Sequence, residues 1–490
     1  MNECPVPWPV VSRRTLAAVA AALLLVGGAV VGLFVFGVWT DPSADPRPSP
    51  IPSDTSTPTP EPIPTVLPAA SSSPVPGAPS LAEVLGPSLA AGALGDRLGV
   101  SVVDLSTGAV RYEDNAGVAM VPASTLKILT AAAGLEVLGP DHTFTTRVVG
   151  DAATGDLVLV GGGDPTLTVD DQPAPPSATR LATLADATAA ALTTAGTTTV
   201  QLAADDGLFI GPAVDPDWRS TYIPAGVVAP VTALAVDGGR RDPDADRRSA
   251  DPTLAAAASF AAMLSERGIT VSGEPSRGDA VAGAAELASV ESPPLSTIVE
   301  HILSTSDNDG AEVLARHIAR GMGQQATSAA AGPAVLGAIA GLDVDVSAAV
   351  VTDGSGLARN NAVPASALAA TLAVAADPEH PELRAVLTGL PVAGFTGTLG
   401  DRFESPSAAG SAGVVRAKTG TLTGVSSLAG IVVARDGTPY AFALLADDVT
   451  NTVAARSALD GVATALAGCG CSVPAPGATP GAAASTPSTS

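Results

Sequence analysis

Between Asp41 and Pro79 one residue in three is proline, 13 of 39, and most of the others are Ser, Thr, Ala or Asp. Proline fixes φ and removes a backbone donor, so this stretch can join neither a helix nor a sheet interior. It also has too little apolar surface to offset the entropy of ordering, and it reads as an extended spacer over residues 40–79. That segment divides the chain. Before it, Thr15 to Trp39 runs 25 residues without a charge, about 37 Å as a helix and enough to cross a bilayer with some tilt. Arg13 and Arg14 precede the run and Asp41 and Asp45 follow it. The positive-inside rule then places residues 1–14 in the cytoplasm, an uncleaved single-pass anchor at 15–39 and the rest outside. A secreted form, cleaved after a signal peptide, is the alternative. The Pro-, Ala- and Ser-rich end, 472–490, reads as a disordered tail.

The folded body is thereby confined to residues 80–471. Hydrophobic residues make up 46% of the chain but aromatic ones only 3%, so its core must be built from Ala, Val and Leu. A net charge of −24 excludes nucleic acid as a partner, because nothing would neutralise a run of phosphates. Three cysteines are too few for a disulfide framework. Cys469 and Cys471 can close a small disulfide in an oxidising compartment or stand as free thiols, and no Cys or His nearby suggests a metal site. "LGVSVVDLSTGAVRYEDNAG" reads as two strands joined by a turn, and Gly413 to Asp447 as two or three antiparallel strands. Helical stretches lie between and after them. The body is mixed α and β, with hairpins at its two ends that can share one sheet.

The chain holds 24 basic residues, and only Lys127 and Lys418 are lysine. Lys127 stands three residues after Ser124 in "PASTLK", at the start of a predicted helix, so the two side chains share a face. Backbone N–H groups at a helix start can stabilise a developing negative charge beside Ser124. A lysine there can take the serine's proton if burial or a neighbouring positive charge lowers its pKa, whereas arginine keeps its proton. Taken alone, the pair is equally a capping serine beside a surface lysine.

Two further stretches carry the same double meaning. Ser306-Asp307-Asn308, taken alone, reads first as helix-capping chemistry, and second as a hydroxyl for proton relay with an amide that positions a substrate. Lys418-Thr419-Gly420-Thr421 lies on a predicted strand, where Gly420 would let a substrate backbone lie alongside. Thr419, Thr421 and the Lys418 ammonium would face a carboxylate.

S-x-x-K, then S-D-N, then K-T-G in that order is the signature of penicillin-binding proteins and class A β-lactamases. Residues 80–470 resemble the D-alanyl-D-alanine carboxypeptidase/endopeptidase family, the low-molecular-mass class C penicillin-binding proteins (peptidase family S13). "LVLVGGGDPTL", "SDNDGAEVL", "DGSGLARNN" and "GLPVAGFTGTLGDR" are similar to that family's segments, with Thr396 standing where the family is expected to carry Asp. The resemblance implies an α+β fold, a serine β-lactamase/DD-peptidase-like αβα sandwich with an antiparallel sheet. Lys127 and Ser306 are 179 residues apart, far more than one helical subdomain needs, so a domain is inserted between them. The expected division is peptidase domain 80–145 and 251–471, with the insert at 146–250.

The resemblance also implies a membrane-anchored serine D-Ala-D-Ala carboxypeptidase or DD-endopeptidase acting on peptidoglycan stem peptides that end in D-Ala-D-Ala. Ser124 is then the nucleophile, Lys127 its base, kept neutral partly by the Lys418 charge, and Ser306 the proton relay. Asn308, Lys418, Thr419, Gly420 and Thr421 hold the substrate, with Ser124 and Thr421 N–H groups forming an oxyanion hole. β-Lactams would acylate the same serine, and no cofactor or metal is called for. The alternatives are a β-lactamase, although no glutamate between Lys127 and Ser306 stands in a deacylating context, and a catalytically inactive wall-binding protein. No G-x-S-x-G is present, and the four histidines have no motif around them, which excludes a conventional triad.

Overall fold

The computed structural model describes residues 79–170, 178–241, 246–404 and 408–471. In chain order the elements are α1 (Leu81–Leu89), β1 (Arg97–Asp104), β2 (Val110–Asp114) and α2 (Lys127–Leu138). Then come β3 (Thr145–Asp151), β4 (Asp156–Val160), α3 (Leu181–Ala195), β5 (Thr199–Asp205), α4 (Pro252–Glu266) and β6 (Ala285–Glu291). The chain continues through α5 (Leu295–Thr305), α6 (Asn308–Gly321), α7 (Ser328–Gly341) and α8 (Ala365–Ala376). It ends with β7 (Val415–Leu422), β8 (Val425–Val433), β9 (Pro439–Asp447) and α9 (Thr452–Ala467).

The two terminal hairpins do share one sheet. Its order is β7-β8-β9-β1-β2, antiparallel throughout, and β1 lies against β9 with Val102 opposite Phe442. Alternation along β9 shows why it is central. Ala441, Ala443 and Leu445 pack into one apolar cluster, and Phe442, Leu444 and Ala446 into another. The first cluster is roofed by α2, α5, α6, α7 and α8, the second by α1 and α9. The result is a three-layer αβα sandwich, as the resemblance implied. Small side chains let the layers approach closely, which is how a core with so few aromatic residues fills its volume.

A second sheet is inserted between α2 and α5. β3 pairs antiparallel with β4 and β6, and β4 pairs parallel with β5. One face is covered by α3 and α4 through Leu181, Leu184, Leu192, Phe260 and Leu264. The insert therefore runs from about residue 145 to 291 and does not end at residue 250. α4 and β6 belong to it, because their apolar faces are buried against its own sheet. The expected anchor at 15–39, the spacer and the tail lie outside the described residues. Among the described residues, no helix is long and apolar enough to cross a membrane. Cys469 and Cys471 are joined as a disulfide, with Cα atoms 5.2 Å apart.

Candidate active site

The "PASTLK" stretch enters α2 through a 3-10 turn, Ala123–Leu126. Side chains at i and i+3 eclipse in such a turn, which brings Ser124 and Lys127 closer than an α-helical turn would. Ser124 Oγ lies 3.0 Å from Lys127 Nζ. The turn is entered through Ala123 at φ 49°, a left-handed conformation that costs a non-glycine residue about 1 kcal/mol and persists where its surroundings hold it. Lys127 is fully buried, and its Nζ also lies 2.7 Å from Asn308 Oδ1 and 2.8 Å from the Ser355 carbonyl. Burial brings its pKa down to about 8, against the opposing pull of Asp353, Glu312, Asp307 and Asp309.

Ser306-Asp307-Asn308 combines a helix cap with two side chains that reach the two lysines. Asp307 is the helix cap: it stands at the N-cap of α6 and accepts from the Asp309 N–H. The residues flanking it face the site. Ser306 ends α5 at φ 62° and ψ 39°, and its hydroxyl lies 2.8 Å from Lys418 Nζ. Asn308 Nδ2 donates to the Val227 carbonyl at 2.9 Å, which leaves Oδ1 facing Lys127.

Lys418 and Gly420 point inward from β7, while Thr419 is half-buried and Thr421 exposed. The Lys418 ammonium is fully buried and donates to the Thr419 carbonyl as well as to Ser306. Burial, and then the charge of Lys127, hold its pKa well below the usual lysine value. Packing alone requires a glycine at position 420. A Cβ there would meet Ser427 Oγ at 2.1 Å and the Pro122 carbonyl at 2.7 Å. The absent side chain thus admits the turn that carries Ser124. Ser427 Oγ fixes that turn by donating to the Pro122 carbonyl at 2.7 Å.

β7 is an edge strand of its sheet. Its outer edge is covered at one end, where Ala417 N–H donates to the Pro391 carbonyl. Backbone direction alternates along a strand, so the N–H groups of Thr419 and Thr421 share that edge beyond the covered part. Thr398, from "FTGTLGDR", reaches the same strand with its Oγ1 2.9 Å from Thr419 Oγ1. Thr396 closes that segment's turn by accepting from Val392 N–H at 2.9 Å, a bond an aspartate would equally make.

Several contacts had no signal in residue type. The Ser355 carbonyl belongs to "DGSGLARNN", a stretch that resembled the family without any role attached. Asp353 organises it, accepting from Gly356 and Ala358 N–H, Asn361 Nδ2 and Trp218 Nε1. Trp218 comes from the insert, as do Val227 and two residues that grip α6. Ala229 N–H and Arg248 bind the two oxygens of Asp309, at 2.6 and 2.8 Å. The inserted segment therefore sets the orientation of Asn308. Of the histidines, His317 is buried, stacked on Phe144 and 3.0 Å from the Gly163 carbonyl, and burial lowers its pKa to about 4.

Comparison with known proteins identifies the family. The family described as D-Ala-D-Ala carboxypeptidase 3 (S13) matches residues 81–247 and 241–467. Carboxypeptidase DacB of Mycolicibacterium smegmatis is 35% identical over 477 residues, covering 95% of this chain and 99% of that protein. A carboxypeptidase of Mycobacterium tuberculosis is 36% identical over 420 residues, 83% and 87% of the two chains. Among solved structures, penicillin binding protein 4 from Haemophilus influenzae shares the fold at a TM-score of 0.65 and 21% identity, over 78% of this chain and 97% of that one. With the motifs, the sandwich and the match all in register, this chain belongs to the D-Ala-D-Ala carboxypeptidase 3 (S13) family.

Proposed function

We propose that the chain is a serine D-Ala-D-Ala carboxypeptidase that cleaves peptidoglycan stem peptides on the extracytoplasmic side of the membrane, with DD-endopeptidase cleavage of cross-links as a second use of the same site. The observation that carries this reading is the set of partners around Lys127 Nζ. A neutral amine has two N–H donors and one lone pair. Asn308 Oδ1 is held as an acceptor by the Val227 carbonyl behind it, and the Ser355 carbonyl can only accept. Once the amine is neutral, both donors are thereby engaged and the lone pair is left for the Ser124 hydroxyl. That is the geometry of a general base and its nucleophile.

In the proposed reaction Lys127 takes the Ser124 proton while Oγ attacks the carbonyl carbon of the penultimate D-Ala. Negative charge on the carbonyl oxygen is met by the N–H groups of Ser124 and Thr421, a fixed pair of dipoles of the kind that dominates such catalysis. Ser306 gives its proton to the departing amide nitrogen and is resupplied by Lys418, bonded to its oxygen. D-Ala leaves, and water hydrolyses the Ser124 ester. The stem peptide lies along the open edge of β7 as an added strand, its C-terminal carboxylate near Thr419 and Thr421. Anchoring through residues 15–39 is the matching proposal for location, and the Cys469–Cys471 disulfide suits an oxidising compartment.

The test is covalent labelling of the purified chain by a fluorescent penicillin, with D-Ala release from a D-Ala-D-Ala peptide measured alongside. Ser124→Ala is expected to abolish both. Labelling that survives in this variant removes Ser124 as nucleophile. Rapid β-lactam turnover without D-Ala release would make the protein a β-lactamase instead.

A further inference from the structure

The loop that supplies the third partner of Lys127 is itself gripped by a buried acid. Residues 353–356 are wedged between two elements of the site. A Cβ on Gly354 would lie 2.5 Å from the Ala311 carbonyl of α6, and one on Gly356, at φ 85°, would lie 2.0 Å from the Ala123 carbonyl. Glu312, one helical turn after Asn308, is buried in this seam. Its Oε1 accepts from both the Gly354 N–H, at 3.1 Å, and the Ser355 N–H, at 2.8 Å. The carbonyls of the same two residues serve α2: Gly354 O accepts from Thr130 Oγ1 at 2.7 Å and Ser355 O from Lys127 Nζ at 2.8 Å. A continuous chain of hydrogen bonds thus joins the helix that starts at Asn308 to the amine.

We infer that Glu312 is a positioning residue for the base: by clamping the Gly354 and Ser355 N–H groups it aims the Ser355 carbonyl at Lys127, and so directs the amine's lone pair to Ser124. This rests on the reading of Lys127 as the base. Burial first, and then the charge of Asp353, push the Glu312 carboxyl up to about 8. In this seam it serves as a hydrogen-bond acceptor of fixed reach. Lys127, Asp353 and Arg316, the last one turn further along α6, are the charged groups that face it.

The experiment is single-turnover acylation by a fluorescent penicillin, resolved into a pre-covalent dissociation constant and an acylation rate constant. Glu312→Gln keeps the reach and an acceptor oxygen, whereas Glu312→Asp keeps the acid but withdraws it by one methylene. Glu312→Gln is expected to acylate within about fivefold of the parent rate constant, and Glu312→Asp to lose about 30-fold or more with the dissociation constant unchanged. Thr130→Val frees the same loop from its other side and is expected to lose about fivefold to tenfold in the same constant, which keeps the test open should the Asp variant not fold. A parent-like rate in Glu312→Asp or in Thr130→Val, a loss in Glu312→Gln equal to that in Glu312→Asp, or a loss confined to the dissociation constant overturns the inference. None of these touches the proposed function, which is tested separately by labelling of Ser124→Ala and by D-Ala release.

Discussion

Lys127 and Lys418 are both fully buried, yet their surroundings are unlike. Lys127 is ringed by three oxygen atoms, with four carboxylates close enough to favour its charge. Lys418 has the Ser306 hydroxyl and the Thr419 carbonyl, and no carboxylate opposes the effect of its burial. Two ammonium groups so close in a buried site disfavour one another. In the free protein the pocket of Lys127 is the better home for the one positive charge. Lys418 is the group that lacks an anion. In the proposed reaction the substrate's carboxylate, arriving on the open side of β7, supplies it. Charge on Lys418 then drives Lys127 neutral as the peptide bond comes within reach of Ser124. In the proposed function, the difference between the two pockets would let substrate binding prepare the base.

The sharpest way to break this comparison is Lys127→Arg, which keeps the charge but cannot release the proton. Acylation followed by intact mass is expected to fall about 10³-fold or more, and near-normal acylation would remove the neutral-base argument. Lys418→Met tests the other pocket. It is expected to lose about 100-fold in kcat/KM on a D-Ala-D-Ala peptide, and clearly less on the C-terminal amide, because an anion partner and a proton source go together. Equal losses on both peptides would separate Lys418 from the carboxylate.

The smallest effect is on stability. Lys418 resists a proton that the unfolded chain accepts up to the usual lysine pKa of 10.5. The unfolded state therefore binds more protons, and the resulting penalty is fully present below the lowered folded pKa. It fades as pH rises toward 10.5. Lys418→Met is expected to melt higher at pH 7, by about 1 kcal/mol or more of added stability, with the gain shrinking in alkaline buffer. An unchanged or lower melting temperature at pH 7 would mean that the Lys418 pocket carries no such penalty.

Much of this site was legible because lysine is scarce in the chain. Two lysines among so many arginines singled out two of the three motifs, and the hairpins at the ends of the body announced a shared sheet. The rest was hidden for physical reasons. α4 has the same Ala-rich character as the body's helices, so nothing in its sequence assigns it to the insert. α7, which the pattern did not reveal, carries Pro333 inside it. The Ser355 and Val227 carbonyls leave no trace in residue type, since every residue has one. Gly420 was visible, but whether its missing Cβ faced a substrate or the Pro122 carbonyl depended on the strand's inward face, which only packing reveals.

The central claim is that Lys127 is a base poised near neutrality. Because the whole chain holds two lysines, selective isotope labelling of lysine gives an NMR spectrum with two side-chain signals, and Lys418→Met assigns them. Titration of the Cε and Nζ resonances is predicted to place Lys127 at about 8, with Lys418 also displaced well below 10.5. A Lys127 midpoint at the ordinary value of 10.5 would contradict the account.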